Sequence, residues 1–123
     1  MEPTLIQSIL LVAVGGAIGA VLRFGAGQVI DSSQFPWATF AVNIIGSFFL
    51  AFLMFGWTGI PSELRILLFT GLFGAFTTMS TFTVDTVTML SDGRFMDALL
   101  NFLLNPCLCV AGAFAGRYLA LLI

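Results

Sequence analysis

Apolar residues fall into four long runs separated by three short polar breaks. The first run extends from about Leu5 to Leu22 and stops near Arg23. The others extend from about Trp37 to Trp57, Ser62 to Leu90 and Phe95 to Leu122. The breaks are Asp31-Ser32-Ser33-Gln34 with Pro36, Gly56 through Pro61, and Ser91-Asp92-Gly93. A helix needs ~20 mainly apolar residues to cross a bilayer. The pattern therefore predicts an all-α membrane protein in which residues 1–123 form one four-helix transmembrane subunit, with no room for a soluble domain. Trp37 and Trp57 bracket the second run as interfacial anchors. Pro61-Ser62-Glu63 reads as a helix start with acid in its first turn. Phe35 to Phe40 fits either the start of the second helix or a short re-entrant piece.

Composition supports this reading. Only 8% of the chain is charged, against about 25% in a soluble domain. With net charge −2 and no basic face, a nucleic-acid partner is excluded. Met1-Glu2-Pro3 lacks the positive start of a signal peptide, so the first run is expected to be retained. Cys107 and Cys109 are two apart on a helix, a poor geometry for a disulfide and too few ligands for a metal. They read as two small buried hydrophobes.

Four spans place both termini and the second loop on one side. Arg65 and Arg117 fall on that side, Arg23 and Arg94 on the other. Orientation follows the Lys/Arg bias between sides, and two against two gives none. Insertion both ways up permits an antiparallel dimer, and four helices alone enclose little space for a pathway. Gly15/Gly19, Gly16/Ala20 and Gly112/Gly116 recur at four-residue spacing, which lets helix backbones approach closely in lipid.

The third run is long, and its segment "GLFGAFTTMSTFTVDTVTML" combines Gly71 and Gly74 with seven hydroxyls, from Thr77 to Thr88. The hydroxyls could bond back to their own helix. Alternatively the helix breaks near Gly74 to Thr77, and freed carbonyls line a cavity or hold a cation. Phe76, Met79 and Phe82 share a slowly drifting face, interleaved with Ser80 and Thr83. Ring edges are the positive end of the aromatic quadrupole, so edges and hydroxyl donors together could hold a small anion without a formal charge. Asn43 in the second run wants partners at that depth, as packing glue or pathway lining. Asn101 and Asn105 share one face of the fourth run, followed by Pro106. Arg23 could snorkel to the interface or draw anions into a vestibule. Asp85 is an intramembrane acid and a functional candidate by position, with Arg23 or Arg94 as possible partners. There is no histidine, phosphate loop or paired carboxylate at depth, so the chemistry suits permeation and the chain is not expected to be an enzyme.

These residues resemble the Fluc/CrcB fluoride channels over nearly the whole chain. "GGAIGAVLRF" (15 to 24) is similar to the family's glycine-rich first helix ending in Arg. "FPWATFAVNIIGSF" (35 to 48) is similar to its second-helix segment with Asn, and "ALLNFLLN" (98 to 105) to the start of its fourth helix. "TGLFGAFTTMSTFTVDTVTML" (70 to 90) resembles its most specific motif, G-x-x-G-G-x-T-T-F-S-T-F-S.

The resemblance implies a broken third helix and a dual-topology antiparallel homodimer with two pores in the cell inner membrane. It implies passive, selective export of cytoplasmic fluoride, which relieves fluoride toxicity. On the matching positions, Asn43, Met79, Ser80, Thr81, Phe82 and Asn101 would line or shape the fluoride pathway, and Arg23 would sit at the vestibule. Backbone carbonyls at Gly74 and Thr77 would hold a structural sodium ion at the dimer centre. The sequence departs from the motif at Met79, where a pore phenylalanine is expected, at Ala75 for the second glycine, at Thr83 for Ser and at Asp85 for Glu. The alternatives are a small proton-coupled multidrug exporter, for which Asp85 is the only suitable acid, and a non-conducting subunit of a heterodimer.

Overall fold

The computed structural model describes residues 1–123. It is all helical: α1 (Leu5–Val29), α2 (Trp37–Gly56), a third span in pieces, and α6 (Phe95–Leu122). The pieces are α3 (Ser62–Arg65), a π-helical stretch (Ile66–Phe73), α4 (Gly74–Phe76) and α5 (Met79–Ser91). Four helical spans, the third taken as Ser62–Ser91, are long and apolar enough to cross a membrane.

Local chemistry sets the ends. Thr4 Oγ1 accepts the Gln7 N–H at 3.2 Å and Gln7 Oε1 accepts the Thr4 N–H at 2.9 Å, so two otherwise orphaned donors are satisfied at the start of α1. That helix runs past Arg23, the expected end, because nothing in Phe24–Val29 interrupts it. It ends where Asp31 turns the chain by accepting the Ser33 N–H at 2.9 Å. This bond holds the Asp31 carboxyl below its usual range, so the turn stays charged. Phe35 to Phe40 is no re-entrant piece. Helix α2 begins at Trp37, after Pro36 and with Ser32 Oγ accepting the Ala38 N–H at 2.9 Å. Gly93 makes the last turn at φ 76°, where a side chain would be strained.

The spans pack as two main pairs, α1 on the third span and α2 on α6, and α5 joins α6. Glycines explain the closeness of both pairs. A Cβ on Gly15 would overlap the Leu67 carbonyl, and one on Gly19 the Leu72 carbonyl. On the other pair a Cβ on Gly116 would overlap the Phe48 carbonyl. With no water to expel between helices in lipid, such close backbone contact is what dispersion can exploit. Only 17 of 123 residues are buried, so most of the apolar surface faces outward, as suits a lipid environment.

Gly19→Val and Gly116→Val should push these pairs apart at a cost of about 1–3 kcal/mol or more. Both are expected to melt earlier and lose monodispersity on size-exclusion chromatography. Gly25→Ala, whose added methyl meets nothing within 4 Å, should behave as the parent protein.

Candidate functional site

The third span changes character at Thr77 and Thr78. Their backbones are extended, with φ −87° and ψ 160° at Thr77 and φ −151° and ψ 122° at Thr78. The Asn43 side chain of α2 meets this joint with both ends of its amide. Its Oδ1 accepts the Thr78 N–H at 2.8 Å, and its Nδ2 donates to the Thr78 carbonyl at 3.1 Å. Thr78 Oγ1 then caps α5 by accepting the Thr81 N–H at 3.2 Å.

In a continuous α-helix the Thr78 N–H would reach the Gly74 carbonyl, and the Thr81 N–H the Thr77 carbonyl. Here Asn43 and the Thr78 hydroxyl take those two donors. The Gly74 and Thr77 carbonyls are thereby freed from their helical partners and can accept from water or a cation.

Two cavities meet at this joint, and Thr78 lines both. One, of about 390 Å³, lies between α1, α2 and the start of α5, with Arg23, Thr39 and Thr81 in its wall. The other, of about 300 Å³, lies between α2, α5 and α6, walled by Asn43, Thr77, Met79, Phe82, Asn105 and Cys109 among others. Behind it runs a polar ladder. Asn101 Nδ2 donates to Thr86 Oγ1 at 3.0 Å, Asn105 Nδ2 to Asn101 Oδ1 at 3.4 Å, and Cys109 Sγ to Asn105 Oδ1 at 3.5 Å. The two asparagines are 0% and 2% exposed, and their mutual bonding offsets the cost of burying amides.

The residues singled out in the sequence divide accordingly. Asn43, Thr77, Met79 and Phe82 come together on the smaller cavity, and Arg23 and Thr81 on the larger. Phe82 is buried and stacks on Phe102 with centroids 6.5 Å apart. Met79 is 73% exposed on the protomer surface, and Ser80, Thr81 and Gly74 are exposed with it. Ser80 reaches only the Thr78 hydroxyl, at 3.4 Å. Asn101 lies buried on the ladder and lines neither cavity.

Thr77, Thr83 and Thr86 bond back to carbonyls four residues earlier, at 3.0, 2.9 and 2.9 Å, while Thr78 serves the joint. Asp85 is partnered by Thr39, whose hydroxyl donates to it at 3.4 Å, and not by an arginine. Arg94 is engaged by Asp97 at 2.7 Å and by the Gln34 carbonyl. The cysteines are not both buried as expected, because two helical residues two apart face different ways: Cys107 is exposed and Cys109 half-buried.

Thr78, Thr39 and Cys109 belong to the site although their sequence gave them no special role. For Thr78 the usable signal was the preference for Thr at helix starts, three residues before the N–H it caps. Thr39 and Cys109 carry no such local signal, since their partners lie on other helices or one turn away.

The family model described as CrcB-like protein, Camphor Resistance (CrcB) matches residues 10–117. A protein named fluoride-specific ion channel FluC from Idiomarina loihiensis is 46% identical over 113 residues, 88% of each chain. One of the same name from Geobacter sulfurreducens is 42% identical, covering 89% of this chain and 93% of its own. A third, from Methanocaldococcus jannaschii, is 39% identical over 97% and 98%. A match of this extent, spanning every helix that builds the Asn43–Thr78 joint, shows that the chain belongs to the CrcB family.

Proposed function

We propose that this chain is a fluoride-selective channel of the cell inner membrane, passively exporting cytoplasmic fluoride. Three relatives bear that name. The observation that carries the reading is the smaller cavity beside the joint. Its lining offers amide, hydroxyl and thiol groups and the Phe82 ring, and holds no acid, arginine or lysine. A small, strongly hydrated anion leaving water needs several donors at once. Neutral donors can share in holding it without trapping it as a fixed cation would, and conduction requires weak, multiple stations. Arg23, on the larger cavity, would raise the local anion concentration at the entrance.

In this reading the protomer works as half of an antiparallel homodimer with two pores. Met79, Ser80 and Thr81 are open on the protomer surface and would be completed by the second copy. The third span acts as a broken helix, and the Gly74 and Thr77 carbonyls freed at the joint would hold a sodium ion between the subunits. Carbonyl oxygens are hard donors suited to a hard cation. Asn101 contributes from behind, by orienting Asn105.

Proteoliposomes carrying only this chain should release fluoride and not chloride. No fluoride release would overturn the homodimeric channel, and saturable efflux of an organic cation driven by a pH gradient would favour the exporter. Asn43→Ala leaves the Thr78 N–H without its partner, at about 1–3 kcal/mol. It should reduce flux at least about fivefold while the dimer still assembles. Met79→Phe should retain flux, since it places at this position the residue that the family motif has there.

A further inference from the structure

The smaller cavity is lined by two sulfur-bearing residues from different helices, Cys109 on α6 and Met79 at the start of α5. Asn105, 2% exposed, lines the same cavity, and its side-chain oxygen is 3.5 Å from the Cys109 sulfur. None of the eleven lining residues is an acid, a lysine or an arginine, so no carboxylate draws a hard divalent cation there and no fixed positive charge repels a cation. Thiolate and thioether sulfur select soft monovalent cations such as Ag⁺ and Cu⁺.

We propose that Cys109 and Met79, with the Asn105 oxygen as a supporting donor, form a binding site for a thiophilic monovalent cation inside this cavity. Binding exchanges a proton for the metal: the Cys109 S–H bond breaks, a sulfur–metal bond forms, and the proton leaves to water. No oxidation state changes. The Met79 thioether supplies a second sulfur without losing a proton. The cation then occupies the wall shared with Asn43 and Phe82, on the path that the channel reading gives to fluoride. Cys107 is no part of the site. It lies on the exposed face of α6 and lines none of this cavity.

The site predicts silver sensitivity, and this consequence for flux rests on the channel reading above. The full-length protein is tested in chloride-free nitrate buffer. Native mass spectrometry and titration calorimetry should find one tight Ag⁺ per chain in Cys107→Ser. Cys109→Ser should lose it, and Met79→Leu should bind at least about tenfold more weakly, as expected if the second sulfur contributes about 1.4 kcal/mol. In proteoliposomes Ag⁺ should stop fluoride efflux by Cys107→Ser and leave efflux by Cys109→Ser at its own silver-free rate. Equal binding by Cys109→Ser, or unchanged affinity in Met79→Leu, would overturn the two-sulfur site. Because the binding measurements need no transport, a protein that binds silver as described but passes no fluoride would sink the channel reading and leave this site standing.

Discussion

Two hydrogen bonds between the Asn43 amide and the Thr78 backbone tie α2 to the extended joint of the third span. In a bilayer every backbone donor and acceptor must find a partner inside the protein or a water-lined space. An extended pair such as Thr77-Thr78 forfeits helical bonds, and without compensation each lost bond costs on the order of kilocalories. An asparagine side chain is the size and shape of a peptide group. It can replace a strand partner at one residue, giving and taking one hydrogen bond. The α2 helix thus supplies, from a single position, what a neighbouring strand would supply in a soluble fold.

The glycine contacts make that reach possible. Asn43 spans the gap only because its neighbours let the backbones close: a Cβ on Gly46, one turn further along α2, would collide with the Thr77 methyl. Further along α2, Gly116 of α6 admits the Phe48 carbonyl, which a Cβ there would overlap. The stripes of small residues and the polar joint are therefore one construction. The first brings helices to backbone contact, and the second uses that proximity to satisfy backbone groups that the third span has released.

Much of this was legible in the amino-acid order. Four runs, their breaks and the glycine spacing follow from periodicity and length, because lipid imposes those constraints on each helix separately. The third-span hydroxyls could be flagged but not sorted. Thr83 and Thr86 bond back along their own helix while Thr78 caps α5, and all three look alike as threonines in an apolar run. What separates them is whether Asn43 stands opposite, a contact between residues 35 apart. The end of α1 was misplaced for a different reason. Arg23 looks like a terminus because it is charged, yet a long arginine can sit on a continuing helix and turn its head to a cavity.

That placement matters for the electrostatics. Arg94 is tied to Asp97, while Arg65 and Arg117 lie over the rings of Phe69 and Phe55 at 5.6 and 5.2 Å. Arg23 has no ion pair, hydrogen bond or ring partner in the chain, and it lines the larger cavity. Asp85 is held by Thr39, which shares the wall of that cavity with Arg23. An unpaired guanidinium at a cavity mouth keeps its field directed into the space, whereas a paired one would spend it locally. In the proposed channel these would be two separate tasks: a formal positive charge would stand where ions are still hydrated, and only neutral donors beyond the Asn43–Thr78 joint, where a fixed charge would hold an anion too long to let it pass.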